Sequence, residues 1–459
     1  MSIPFVEPFR IKVVEPIKMT TREERIKILE SAHNNLFNVA AADVFIDFLT
    51  DSGTNAMSDR QWSAMLQGDE SYAGARSYFH FEKAIQEISG FPYVLPTHQG
   101  RAAEGMLFQT LVKPGQVVPN NRHFDTTQAN LLDIGANPVD LSVPEADDAE
   151  ALLPFKGNMD LDKLEALIKK VGAENIPLGM ITVTNNSAAG QPVSMENIRQ
   201  TAELYHKYGI PFFMDACRFG ENAWFIKMRE PGYAQKMVRE IALEMFSYAD
   251  GCTMSAKKDA IVNIGGFIAF RDESLKQKIA QKLIIHEGFI TYGGLAGRDL
   301  EAIAVGLYEG TDEAYLQYRE SHTRYLGEKL QEAGLHVYQP TGGHGVYVDA
   351  GKTLPHIPAS QFPGVVLANM LYLEGGVRTT EIGSLMFEHK DKFTGEVIPA
   401  PIELVRFAIP RRVYTRSHLD YVGEVAQEVV AHAAEIKGLK IVWAPKLLRH
   451  FMAKLAWVG

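Results

Sequence analysis

Residues 251–259 read GCTMSAKKD, between FSYAD (246–250) and AIVNIGGFIAF (260–270). Two adjacent lysines, Lys257 and Lys258, stand behind Ser255 and small residues and before an apolar run of β character. Taken alone, a lysine pair is most simply a solvated turn. A surface loop, however, scatters its charge among Gly, Asn and Pro, and the segments on either side of this one are patterned.

Working outward, IPLGMITVT (176–184) predicts a strand and SMENIRQTAELYHKYG (194–209) an amphipathic helix. Ser194 is placed to cap that helix and Gly209 to end it. IPFFMD (210–215) predicts a strand, YAQKMVREIALEMFSYA (233–249) a helix, and AIVNIGGFIAF a strand pair or one bent strand. Strands alternating with helices predict an α/β fold, with a mainly parallel sheet flanked by helices. Ligands of such sheets sit at the carboxyl ends of the strands. After residue 310 the texture changes. A long helix over 312–334 precedes HVYQPTGGHGVYVDA (336–350), which reads as strand–turn–strand. The expected organisation is a large domain over 57–310. A smaller α+β domain takes residues 1–56, including an N-terminal arm, and 311–459.

The 459 residues carry 46 Lys and Arg against 56 Asp and Glu, a formal net charge of −10. That balance argues against nucleic acid or an anionic membrane as a main partner. Two cysteines, Cys217 and Cys252, are too few for a disulfide framework. No stretch has the apolar length of a signal peptide core or a membrane span. A cytoplasmic protein is expected.

Four local patterns suggest one chemistry. In PTHQGRAAEG (96–105) a Gly and an Arg stand where a helix begins, so Gln99, Gly100 and Arg101 could hold an anion at free backbone N–H groups; the plain alternative is an ordinary helix start. Asp215 ends an apolar strand, where a carboxylate needs a partner. That partner is either local backbone and Arg218, or the protonated ring nitrogen of pyridoxal phosphate (PLP), a cofactor that accepts electrons from the substrate. PLP is carried on a lysine. Ser255 lies three residues before Lys258, in reach of a phosphate, and Asp215 precedes Lys258 by a strand–helix–strand distance. In NNRHFDTTQ (120–128), Phe124 could stack on a ring or simply lie in the core. Phosphate loop, aromatic, strand-end Asp and Ser-x-x-Lys follow the order of the aspartate aminotransferase-like fold (fold type I).

The strings LTDSGTNAMSD (49–59), GDESYAG (68–74), PTHQGR (96–101), AGQPVS (189–194), FSYADGCTMSAKKD (246–259), YGGLAGRD (292–299) and IPRRVYT (409–415) carry a closer likeness. So do EPFRIK (7–12) and LLRHF (447–451) near the two ends. By them the chain resembles the β-eliminating lyases over almost its whole length. The resemblance implies that Lys258 carries PLP, with Lys257 beside it as a modulating charge. Asp215 would face the pyridine nitrogen, and Arg218 and Asn186 the phenolic oxygen. Gln99, Gly100, Arg101 and Ser255 would hold the phosphate, and Phe124 would stack on the ring. Arg406 would clamp the substrate carboxylate with Thr50, Ser52 and Asn186, since a guanidinium meets a carboxylate with two bonds. Gly53, Glu70 and Asn263 match positions for a monovalent cation, usually potassium. Tyr72 would come from a neighbouring subunit, which implies a homotetramer built of catalytic dimers.

The family includes members that release indole and members that release phenol. Asp125, Ile382 and His450 match the first kind, where the second has Thr, Arg and Phe. The resemblance therefore implies β-elimination of L-tryptophan to indole, pyruvate and ammonia. General acid or base help from Asp125 and His450 toward indole would be worth roughly 10²–10⁴-fold. Without the resemblance, an Asp before two Thr is ordinarily a turn or cap residue, and a lone His near a C-terminus ordinarily lies on the surface. Ala102 and Ala189 depart from the glycines familiar at those positions.

Overall fold

The computed structural model describes residues 6–390, 396–446 and 448–459; Leu447, the first residue of LLRHF, lies outside them. The chain divides into two compact units, Ser52–Ala146 with Leu153–Gln317, and Met1–Asp51 with Asp147–Leu152 and Tyr318–Gly459. Residues 52–56 and 311–317 thus go with the larger unit, and 147–152 with the smaller.

The larger unit is built on a five-stranded sheet. Its strands in chain order are β1 (Tyr93–Thr97), β2 (Gly179–Thr182), β3 (Phe212–Asp215), β4 (Gly251–Ser255) and β5 (Gly266–Phe270). Their order in space is β1-β5-β4-β3-β2. β2, β3 and β4 pair in parallel, and β5 runs antiparallel to both its neighbours. Every residue of β2 to β5 is buried, so these strands read as continuous apolar runs rather than alternating ones. The register sets Asp215 opposite Thr182 on one side and Thr253 on the other, at the carboxyl end of the sheet.

The flanking helices follow their sequence signals. Met195–Lys207 begins where the Ser194 hydroxyl accepts the Asn197 N–H at 3.1 Å and ends before Gly209, whose φ is +71°. The helix expected over 233–249 is shorter, Val238–Ser247, because its first residues form a turn after Pro231-Gly232. The expected strand over 260–270 is confined to β5. Residues 256–260 form a turn, and Ile261 and Gly265 have φ of +51° and +114°, outside the strand region.

The smaller unit holds a three-stranded antiparallel sheet of β6 (Gly345–Asp349), β7 (Thr380–Ile382) and β8 (Leu404–Ala408), with β8 in the centre. Leu371 of the Pro363–Gly375 helix, Leu419 and Val422 of the Arg416–Ala431 helix, and Val346, Val405 and Phe407 of the sheet share one core. The N-terminal segment adds Leu29, Ile46 and Phe48 to it. In 336–350 only β6 is a strand. The first expected strand reduces to a Val337–Val348 bridge, since the Gln339 N–H bonds Ala149 and Pro340 has no N–H to give.

Arg411 and Asp51 are both buried in this unit, with Nη1 and Oδ2 3.0 Å apart. Removing one member of such a pair strands the other charge. Asp51→Asn should lower unfolding stability by roughly 3–5 kcal/mol in a denaturant titration.

Candidate functional site

In the larger unit the Gly100–Leu111 helix begins against the end of β4. A β-carbon on Gly100 would sit 2.7 Å from the Ser255 Cβ and 2.8 Å from its backbone N. Only glycine permits that approach. The Ser255 hydroxyl is buried and makes no hydrogen bond among the described residues. Gln99, at the helix N-cap, accepts the Lys257 ammonium at 3.2 Å through Oε1. The Arg101 side chain is exposed. Free N–H groups at a helix start, an unpartnered buried hydroxyl and nearby cations together suit a phosphate.

Asp215 is buried, and its Oδ1 accepts the Cys217 N–H at 3.1 Å. The Cys217 sulfur accepts the Ser255 N–H at 3.2 Å, so the β3 and β4 ends are tied together. Burial, then Asp215, hold the Cys217 thiol well above its ordinary range. Lys257 and Lys258 are half-buried in the turn after β4. Burial, then the charges of Lys258 and Arg101, lower the Lys257 ammonium pKa. A lysine pair at a surface turn would show neither effect.

Glu104 was not singled out in the sequence. It lies on the inward face of the Gly100–Leu111 helix and accepts the Thr127 hydroxyl at 2.8 Å. Burial, then the Asp215 carboxylate, push its carboxyl up to about 8; Thr127, Lys258 and Arg101 pull the other way. The signal was available, because a Glu between Ala103 and Met106-Leu107 interrupts an otherwise apolar face.

Phe124, half-buried, is the N-cap of the Asp125–Asp133 helix. Asp125 is buried at the first turn, and its Oδ1 accepts the Thr126 N–H at 2.6 Å. Asn186 and Arg218 are buried, the first in the turn after β2 and the second at the start of the Phe219–Arg229 helix. Ala189 has φ +53°, a left-handed conformation in which its methyl is strained. Ala102 is an ordinary helical residue.

Gly53 accepts the Asn263 amide at 2.9 Å and donates its N–H to the Lys257 carbonyl at 3.0 Å. Glu70 is exposed and makes no hydrogen bond among the described residues. Ser52 is half-buried. Tyr72 is 69% exposed and stacks on Phe289 with centroids 5.6 Å apart.

In the smaller unit Arg406 is buried on β8, and its Nη2 donates to the Leu49 carbonyl at 2.9 Å. The Thr380 hydroxyl donates to the same carbonyl at 2.7 Å, beside half-buried Thr50. Ile382 is buried at the end of β7. His450 is buried, not on the surface, with its ring 5.9 Å from Phe37 and 4.0 Å from Phe451.

The Beta-eliminating lyase family model matches residues 47–425. A tryptophanase of Salinibacter ruber is 54% identical over 98% of this chain and 95% of its own. A tryptophanase of Hyphomonas neptunium is 52% identical over 98% of both chains. A tyrosine phenol-lyase of Symbiobacterium thermophilum is 51% identical over 99% of both. Among solved structures, a SepCysS chain matches with TM-score 0.57 at 13% identity, over 86% of this chain and 96% of that one. SPT with PLP matches with TM-score 0.55 at 13% identity, over 84% and 88%. The architecture is that of fold type I, as the order of motifs predicted.

A carboxyl raised in the folded state stabilises it fully below the unfolded value and loses that contribution as pH rises. For Glu104 the window runs from the ordinary 4.5 up to about 8. Over it the thermal midpoint should fall less in Glu104→Gln, which keeps an acceptor for Thr127 and never ionises, than in the unsubstituted protein. Equal slopes would show that Glu104 does not titrate there.

Proposed function

The chain belongs to the β-eliminating lyase family and is a PLP-dependent lyase, and from that premise we propose that it cleaves L-tryptophan to indole, pyruvate and ammonia. The observation that carries this reading is the buried, apolar Ile382. A phenol-releasing pocket is expected to place an arginine there, and a buried arginine facing indole would lack a partner. Relatives named for tryptophan and for tyrosine stand at similar identity, so the reading rests on individual side chains.

The residues present fit PLP. Gln99, Gly100, Arg101 and Ser255 would hold its phosphate, with the unpartnered Ser255 hydroxyl as the support for that assignment. Phe124 would cover the ring, Asp215 would keep the ring nitrogen protonated, and Arg218 and Asn186 would bond the ring oxygen. When bound at Lys258, the cofactor supplies an electron sink for the bonds at the substrate Cα. Asp215 suits its task because a neutral Glu104 beside it adds no second negative charge at neutral pH. Lys258 would take the Cα proton at Nζ. Arg406 would orient the substrate carboxylate, with Thr50, Ser52 and Asn186. Tyr72 or Lys258 would deliver the proton to indole C3, and Asp125 and His450 would stabilise the charge that results. The exposure of Tyr72 supports its service in a neighbouring subunit of a homotetramer, a dimer of catalytic dimers. Gly53, Glu70 and Asn263 are proposed for potassium. The free thiols Cys217 and Cys252 suit a reducing cytoplasm, and among the described residues no helix is long and apolar enough to cross a membrane.

Incubation with PLP and potassium should convert tryptophan to indole with equimolar pyruvate, and tyrosine should give little phenol. Phenol as the main aromatic product would reject the indole reading and leave a phenol-lyase. Borohydride should fix PLP on the unsubstituted protein and not on Lys258→Ala; fixation on that variant would reject Lys258 as the carrier.

A further inference from the structure

Two of the side chains assigned to indole, Ile382 and His450, border one short turn, Ser384–Phe387, within the smaller unit. Both ends of that turn are held by ionisable groups for which the reaction has no direct use. At its start, Glu403 accepts the Ser384 N–H at 3.2 Å through Oε2 and the Ser384 hydroxyl through Oε1. Glu381 accepts the Leu385 N–H at 2.9 Å through Oε1. At its far end, Arg449 donates to the Leu385 carbonyl at 2.7 Å and the Ser384 carbonyl at 2.6 Å, and pairs with Glu388 at 3.0 Å.

The two carboxyls converge on Gly383. A β-carbon there would lie 2.5 Å from Glu403 Oε2 and 3.0 Å from Glu381 Oε1. Both glutamates are buried, and Glu381 Oε2 makes no hydrogen bond among the described residues. Two carboxyls this buried and this close do not both ionise readily. The charged groups around them do not neutralise them. Asp349 at the end of β6 and Glu388 both repel Glu403, and the Arg449 guanidinium is bonded to Glu388 and the turn carbonyls.

We propose that Glu381 and Glu403 form a positioning pair for leaving-group selection. With one of the two carboxyls protonated they fix the turn after Gly383 through its N–H groups and the Ser384 hydroxyl, and through Arg449 they hold Ile382 and His450 as one rigid piece. The inference rests on the indole reading above and deepens it. Glu381 directly precedes Ile382, and Arg449 directly precedes His450, so slack in the turn passes to both. Burial, then Glu403, hold the Glu381 carboxyl up at about 8, which supplies a titration by which the pair can be tested.

The test is the ratio of kcat/KM for tryptophan to kcat/KM for S-ethylcysteine, followed across pH in the holoenzyme. Both substrates share the cofactor and the Cα step. Only one releases indole, so the ratio isolates the leaving group. In the unsubstituted enzyme the ratio should fall as pH rises past about 8. Glu381→Gln, which mimics the protonated form, should keep the ratio flat over the same range. Glu381→Ala should lower it at every pH by roughly ten- to a hundredfold, the scale of a small misplacement, with S-ethylcysteine turnover near normal. An unchanged ratio in Glu381→Ala overturns the proposal. So does a Glu381→Gln profile parallel to the unsubstituted one, or an equal loss on both substrates in the two variants. Should Glu381→Ala fail to fold, the Glu381→Gln profile decides alone. Phenol in place of indole from the unsubstituted enzyme counts against the indole reading, and the ratio with tyrosine as numerator then decides the role of the pair.

Discussion

The constraint on which the larger unit depends is the approach of the Gly100 backbone to Ser255. The helix start and the end of β4 lie so close that no β-carbon fits between them. Because β4 is in register with β3, with Asp215 opposite Thr253, that single approach also sets Asp215 against the helix. Glu104 lies one turn along the same helix and is therefore carried to Asp215, and Gln99 at its cap meets Lys257. The proposed anion site, a buried carboxylate and the lysine pair thus arise from one packing event between a helix and a strand end. Shifting the helix by the width of a methyl group would disturb all three.

Glu104 with Asp215 and Glu381 with Glu403 each place two carboxyls in a setting that disfavours two ionisations. The consequence is the same in both places. In each, burial and the neighbouring carboxylate hold one carboxyl well above the ordinary carboxylate range, which disfavours a second negative charge beside its partner. The lysine pair follows related logic with the opposite sign, as Lys257 is half-buried and feels both Lys258 and Arg101.

Much of this arrangement was legible in the sequence where local rules govern. Ser194 and Gly209 delimit their helix because a cap and a left-handed glycine act within one turn of chain. PTHQGR predicts a helix start at Gly100 for the same reason. What was not legible depends on groups far apart in the chain. The run 260–270 looks like strand throughout, yet Ile261 and Gly265 turn it so that only its second half pairs with β1 and β4. The burial of His450 depends on Phe37 and Phe451, and no local pattern around residue 450 reveals Phe37. Glu104 shows as a polar break in an apolar face, but its carboxylate neighbour is more than a hundred residues away.

The proposed selectivity between two aromatic leaving groups needs a ruler, and one sheet of the smaller unit would supply it. On an antiparallel pair, directly opposed residues project from the same face, as do residues two apart on one strand. Arg406 is opposed by Thr380, and Ile382 lies two residues on from Thr380. The three side chains therefore share one face of the sheet. The proposed carboxylate hook and the proposed leaving-group residue are held about 7 Å apart along the strand, two residues of rise. That spacing suits an α-amino acid whose carboxylate and side chain must be read at once. On the proposed reading the strands that set the spacing would serve either substrate, and the choice would fall to what stands at the far end of the ruler. There the chain places a buried Ile382, and the turn that follows it is gripped by a carboxyl pair on one side and Arg449 on the other.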